Sequence, residues 1–373
     1  MEALSVLFEE HTAVHGARIV IATLNAPQAL NALSQEMIDV LSERLAAWRE
    51  DPKVASIILR GAGSRALCAG GDIVRLYQSM RQYPGGPNPI AERFFRTEYR
   101  LDYTVHTYPK PILCWGHGIV MGGGLGLFAG SSHRVVTETS RIAMPELGIG
   151  LFPDVGATWF LNRMPGRVGL YLGLTGTACN AGDAVFIGLG DYFLPADQYE
   201  SVLAAMLQIP WDDEAAPNHR RLAGLLQAYA LRYRHELPAS VVQAHYEIIE
   251  RVTAYQSVEA IAMALQESAR SDAWIARGSK VMVSGSPTST RIFFEQYKRG
   301  KYLALKEAFR MELILAVQCT RHPDFAEGVR ALLIDKDQAP QWQPPQFAEV
   351  SAALVQEHFT PPLDYRQHPL ADL

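Results

Sequence analysis

Apolar positions along this chain recur with two periods, and the changes between them mark its elements. Residues 4–9 (LSVLFE) and 18–24 (RIVIATL) are rich in β-branched and apolar side chains and flank HTAVHGA, which predicts an antiparallel pair of strands. From Ser34 the period lengthens. Met37, Val40, Leu41, Leu45 and Trp48 recur at helical spacing behind a serine N-cap until Asp51-Pro52 stops the pattern, so one helix face is buried. Residues 54–63 (VASIILRGAG) form an unbroken apolar run closing on glycine, as expected of a central strand covered on both faces. Helix is predicted at 73–83, loop at 84–89 (PGGPNP), helix again at 92–107 and a buried strand at 111–120 (PILCWGHGIV). Strand, helix and strand in close succession predict right-handed βαβ units.

The glycines at 122–124 open a short helix of small residues, and HRVVTET and RIAMPE are short strands about the turn at 139–140. Helix is predicted from Val155 and a strand at 191–194 (DYFL), after which the pattern is mostly helical, including a long amphipathic stretch at 302–322. The proline-rich tail beyond Asp337 reads as loop rather than core. The expectation is an α/β core over 1–200 and a mostly helical region over 201–373 that completes or covers it.

The chemistry concentrates between 117 and 156. Glu146 and Asp154 lie among Met144, Leu147, Ile149, Leu151 and Phe152, surroundings that strip hydration from a carboxylate and raise its proton affinity unless a donor compensates. A general base or nucleophile needs such surroundings. Ala69-Gly70-Gly71-Asp72 and Met121-Gly122-Gly123-Gly124 each follow a strand and precede a helix, so two bare N–H groups could converge as an oxyanion hole. Each feature has a plainer reading. Glycines also permit tight turns, Glu146 could end a strand in a surface ion pair, Asp154 could cap the helix from Val155, and Glu98 on its aromatic helix would ordinarily be solvated.

Composition narrows the choice by exclusion. With a net charge of −5 and no basic block, nucleic acid is not the expected partner. No apolar run is long enough for a bilayer, and the first residues lack a signal core, so a cytoplasmic location is expected. Cys68, Cys114, Cys179 and Cys319 show neither zinc-site nor disulfide spacing and are expected to be small buried hydrophobes. Neither glycine turn spells a dinucleotide fingerprint after the first strand, no Gly-Lys-Ser or Gly-Lys-Thr occurs, and no H-E-x-x-H motif is present. His106, His117 and His133 lack a triad motif.

At these residues the chain resembles the crotonase, or enoyl-CoA hydratase/isomerase, superfamily: ALCAGGDI (66–73) and GIVMGGGLGL (118–127) look like its two oxyanion segments, and RIAMPELGIGLFPDVG (141–156) like its catalytic segment. FFRTEY (94–99), SPTS (286–289) and FAEGVRALLIDKDQAPQW (325–342) bring it nearer the branch that hydrolyses 3-hydroxyisobutyryl-CoA. The resemblance implies ββα units in two roughly perpendicular sheets. It also implies thioesterase activity in valine catabolism, with coenzyme A as part of the substrate and no separate cofactor or metal. By the same resemblance Gly71 and Gly123 bind the thioester oxygen, Glu146 is the catalytic glutamate, Asp154 the second acid and Glu98 a substrate-site glutamate; Gly123, Glu146 and Asp154 also contact substrate. Coenzyme A would lie along Ala66, Leu67, Ala69, Gly71 and Asp72.

Hydratases of the superfamily carry a glutamate where this chain has Gly126, which disfavours water addition. Ala157 stands where the hydrolase branch commonly has glycine. Whether Glu146 attacks the carbonyl or activates water stays open, as do a hydratase or isomerase and a non-catalytic acyl-CoA-binding relative. Superfamily members are often trimers or dimers of trimers, so a homo-oligomer is one expectation.

Overall fold

A computed structural model describes residues 4–363 and 365–373. The opening alternation becomes β1 (Val6–Thr12), antiparallel to β2 (Arg18–Leu24) with Val6 opposite Leu24. Helix α1 (Gln35–Glu50) returns the chain to β3 (Val54–Gly61), parallel to β2; the Met37 N–H donates to Ser34 Oγ at 3.2 Å, so the predicted cap is made. Every residue of β3 except Arg60 is buried, which is why it carries no alternation.

The apolar run at 111–120 is not one strand. It divides at His117-Gly118 into β5 (Ile112–Gly116) and β6 (Ile119–Met121), which belong to different sheets. Gly118 has φ 58°, and a Cβ there would collide with Arg65 O, so only glycine permits the corner. Hydrophobicity cannot reveal the break because both halves are buried. β4 (Ala66–Cys68) precedes β5 in sequence, and β7 (His133–Val136), β8 (Arg141–Ala143) and β9 (Tyr192–Phe193) complete the set. The six-stranded sheet has order β1-β2-β3-β5-β7-β9, and the three-stranded sheet β4-β6-β8. All described elements after β9 are helical.

The chain forms two compact units, each assembled from three segments: residues 1–71, 104–142 and 179–243 in unit one, and residues 72–103, 143–178 and 244–373 in unit two. In unit one, Ile19, Ile21, Ile58, Leu113 and Val135 of the large sheet pack with Val202, Met206, Leu222 and Leu226 from the helices Tyr199–Met206 and Ala215–Tyr233. Unit two has an aromatic core in which Phe95 lies 6.5 Å from Phe325 and Tyr99 6.1 Å from Phe309, ring centre to ring centre.

The proline-rich tail is more ordered than its composition suggests. Ser351 caps a helix, Ala352–His358, and Val350, His358 and Leu370 are buried. All four cysteines are buried thiols outside any disulfide, as expected of small hydrophobes.

Candidate active site

Helix α2 (Ile73–Gln82) and helix α3 (Pro89–His106) are joined by the PGGPNP loop, whose Asn88 caps α3 through Ala91 N–H at 3.1 Å. Phe95, Tyr99 and Asp102 recur at helical spacing on α3, and Glu98 lies one turn before Asp102. Glu98 is 2% exposed and Asp102 fully buried, so the solvated position expected of Glu98 is not found. The aromatic stripe draws the acids inward with it. Among the described residues neither carboxylate oxygen of Asp102 has a hydrogen-bond partner.

Glu146 opens a single 3₁₀ turn, Glu146–Ile149, separated from β8 by Met144 and Pro145. It is buried and its Oε2 has no partner among the described residues, so it is not in a surface ion pair. The turn is anchored by the SPTS segment: Ser286 N–H donates to Leu147 O at 3.0 Å, while Ser286 Oγ receives Ser289 N–H and donates to Asp324 Oδ2 at 2.6 Å.

Asp154 does not cap the next helix with its side chain. Val155 and Gly156 take left-handed φ values of 53° and 90°, delaying α5 to Ala157–Phe160, and the cap comes from elsewhere. Glu312, from the helix Leu305–Arg321, accepts Gly156 N–H at 2.7 Å and Thr158 N–H at 2.8 Å. Freed from capping, the Asp154 carboxylate accepts a 2.6 Å hydrogen bond from the Tyr99 hydroxyl.

Glu98, Asp102, Glu146, Asp154 and Glu312 therefore lie buried within unit two, and the charges bearing on them are largely one another's. Burial pushes Asp154 up to about 7, opposed chiefly by the Tyr99 hydroxyl, and pushes Glu312 up to about 8, opposed by its donors at 156 and 158. Glu98 and Glu146 are held well above the carboxylate range by burial and then by the charge on Asp154; for Asp102 the cause after burial is Glu98. Asp154 alone of the five accepts a hydrogen bond from a phenol, and its charge adds to the raised proton affinity of the other four. Among the described residues no group of three or more such side chains has the geometry to hold a metal.

The glycines of both turns, Gly70 and Gly71 and Gly122 to Gly124, lie in unit one. Helix α4 (Gly123–Gly130) begins against the end of β4, where a side chain at Gly124 would collide with Cys68 O. A Cβ at Gly70 would stand 3.8 Å from Gly122 Cα, so the two turns pack together. Among the described residues neither Gly71 N–H nor Gly123 N–H donates to a protein acceptor. Ala66 and Leu67 are buried in β4, Ala69 is half-buried, and the Ala66 carbonyl accepts Asn31 Nδ2 at 2.9 Å. Asp72, in unit two, caps α2 through Arg75 N–H at 3.1 Å. His117 and His133 are engaged with backbone carbonyls.

Tyr99, Asp102, Gln296 and Glu312 were not legible as site residues. Their one sequence signal is a polar or acidic residue within an apolar helical stripe, as Glu312 is between Phe309, Leu313 and Ala316.

The alternation of strands between a large and a small sheet, each pair followed by a helix, is the crotonase fold. The chain belongs to the enoyl-CoA hydratase/isomerase family, whose sequence profile matches residues 19–359. Within that family it is similar to 3-hydroxyisobutyryl-CoA hydrolases: 38% identical to the mitochondrial protein of Danio rerio, over 91% of this chain and 86% of that one. The mitochondrial protein of Homo sapiens is 37% identical over 91% and 85%, and 3-hydroxyisobutyryl-CoA hydrolase 1 of Arabidopsis thaliana 34% over 95% and 91%. A solved carnitinyl-CoA dehydratase from Mycobacterium thermoresistibile superposes with TM-score 0.84 at 34% identity, covering 97% of this chain and 98% of that one. An enoyl-CoA hydratase from Rhodobacter sphaeroides gives 0.81 at 32%, covering 96% and 97%. The expectation of a cytoplasmic location is overturned by the vertebrate relatives, which are named as mitochondrial. Hydropathy of the first residues is not a guide to compartment.

Proposed function

We propose that this protein is an acyl-CoA thioesterase that cleaves 3-hydroxyisobutyryl-CoA to 3-hydroxyisobutyrate and coenzyme A, a hydrolytic step of valine breakdown. The observation that carries the reading is the buried pair Glu146 and Asp154 in a chain 34–38% identical to proteins named for this hydrolysis. Glu146 presents an unpartnered oxygen, as attack on a carbonyl or removal of a proton from water requires. Asp154, charged and held by Tyr99, orients Glu146 or the water. The Gly71 and Gly123 N–H groups are assigned to the oxyanion, where loss of one donor typically costs about 10²–10³ in rate. Glu98 accepts the 3-hydroxyl of the substrate, and a site built for that contact rejects an acyl group lacking it. Coenzyme A is assigned to residues 66–72, and the reaction needs no further cofactor.

Thiol release from a panel of acyl-CoAs tests this directly. Release from 3-hydroxyisobutyryl-CoA, well above release from isobutyryl-CoA, is expected. Water addition to crotonyl-CoA without any thiol release from 3-hydroxyacyl-CoAs would overturn it in favour of a hydratase, the reading suggested by the names of the two solved neighbours. Gly126 supplies no carboxylate for that chemistry. Single turnover in oxygen-18 water distinguishes the two roles of Glu146, because only an anhydride route leaves label in its side chain.

A further inference from the structure

Two buried polar side chains outside the sequence motifs converge on the turn that carries Asp154. Glu312 takes the N–H groups of Gly156 and Thr158 at 2.7 and 2.8 Å. Gln296, on the helix Pro287–Gly300, donates from Nε2 to Pro153 O at 2.7 Å and to Thr158 Oγ1 at 2.8 Å. Both side chains are fully buried. Between these fixed points stands Val155 at φ 53°, a conformation that a β-branched residue adopts only when its surroundings over-determine it. An acid placed there is also a costly way to cap a helix of four residues, because burial raises its proton affinity. A turn needing only a cap would be served by an exposed serine or asparagine.

We propose that Glu312 and Gln296 are positioning residues for the reaction: they hold residues 153–158 in the strained left-handed turn that delivers the Asp154 carboxylate to the Tyr99 hydroxyl. Glu312 grips the turn on its amide side and Gln296 on its carbonyl side, so Asp154 keeps its orientation although Val155 disfavours it. The groups facing Glu312 are Asp154 on the turn and Tyr99 and Asp102 on α3. The roles of Asp154 and Glu146 rest on the function proposed above; the clamp does not.

The test compares wild type with Glu312→Gln and Gln296→Met at a temperature well below the unfolding transition of each. Glu312→Gln sets an amide N–H₂ against one backbone N–H. Its kcat is expected to fall about ten- to a hundredfold with KM within about twofold, and the acid limb of kcat/KM should move. Gln296→Met keeps the shape and leaves Glu312 in place, so it remains informative if the first variant does not fold; a loss of about three- to tenfold in kcat is expected. Adding Val155→Gly to either variant should restore part of the loss, because glycine adopts the left-handed turn without help. Folded variants with wild-type kcat and pH profile, and only a lowered Tm, would reduce both residues to structural caps and overturn the proposal. Crystal structures of the variants give an activity-independent reading. Loss of the 2.6 Å Tyr99–Asp154 contact supports the clamp even if the wild type releases no coenzyme A, whereas its retention overturns the clamp even if the thioesterase reading stands.

Discussion

Glu146 and Asp154 share the same burial but differ in their partners. Among the described residues nothing donates to Glu146 Oε2, whereas Asp154 accepts a hydrogen bond from the Tyr99 hydroxyl. Glu146→Gln is therefore expected to fold normally and lose about 10²–10⁴ in kcat, measured by thiol release against a circular-dichroism control; retained turnover would remove Glu146 from the reaction. Tyr99→Phe keeps the ring between Phe95 and Phe309 but deletes the donor to Asp154. A donor to a carboxylate favours its charged form, so its loss raises the pH at which Asp154 ionises. The acid limb of kcat/KM should shift upward by about one pH unit. A shift downward, or none, would mean that Asp154 is not required as the anion.

Helices explain which residues the sequence revealed and which it hid. The acids at 146 and 154 stood out because each interrupts a Gly- and Pro-punctuated loop, where an apolar neighbourhood is unusual. Asp102 and Glu312 sit inside apolar stripes of α3 and the helix Leu305–Arg321, where a charge ordinarily marks the edge of a solvated face; only the packing shows that these two positions are buried. The split of 111–120 was hidden for a related reason, since two buried strands in different sheets have the same hydropathy as one. Packing these acids together has a measurable cost. A carboxyl whose folded pKa is raised binds more protons folded than unfolded, so its penalty is absent below about pH 4 and grows as pH rises toward the folded values, about 7 for Asp154 and about 8 for Glu312. Stability from urea denaturation should fall between pH 5 and pH 8. Asp102→Asn removes one such group and should flatten the slope by at most one proton, about 1.4 kcal/mol per pH unit. An unchanged slope would show that Asp102 does not titrate with folding.

At the scale of the chain, interleaving dominates. Unit one draws on residues 179–243 and unit two on residues 72–103, so a cut near residue 200 leaves neither complete. A 1–200 fragment loses Leu222 and Leu226, each worth about 1.5–3 kcal/mol when fully buried, from the face of the large sheet. It is expected to show no cooperative thermal transition by calorimetry and no dispersed amide spectrum; a sharp transition would mean that the sheet is stable without the helix Ala215–Tyr233. The order of strands and helices was largely legible in hydropathy, because parallel strands and amphipathic helices carry different periods. The division into units was not, since it depends on contacts between distant segments.

The buried acids also make ligand binding a proton-transfer event. Five carboxyls with no neutralising cation among the described residues answer any added burial by taking up protons and any new hydrogen-bond donor by releasing them. An unhydrolysable thioether analogue of the substrate should therefore bind with an apparent enthalpy that depends on the ionisation enthalpy of the buffer. Titration calorimetry in phosphate and in Tris would give the number of protons exchanged and their direction, so that affinity itself becomes a record of which carboxyl held the proton before the substrate arrived.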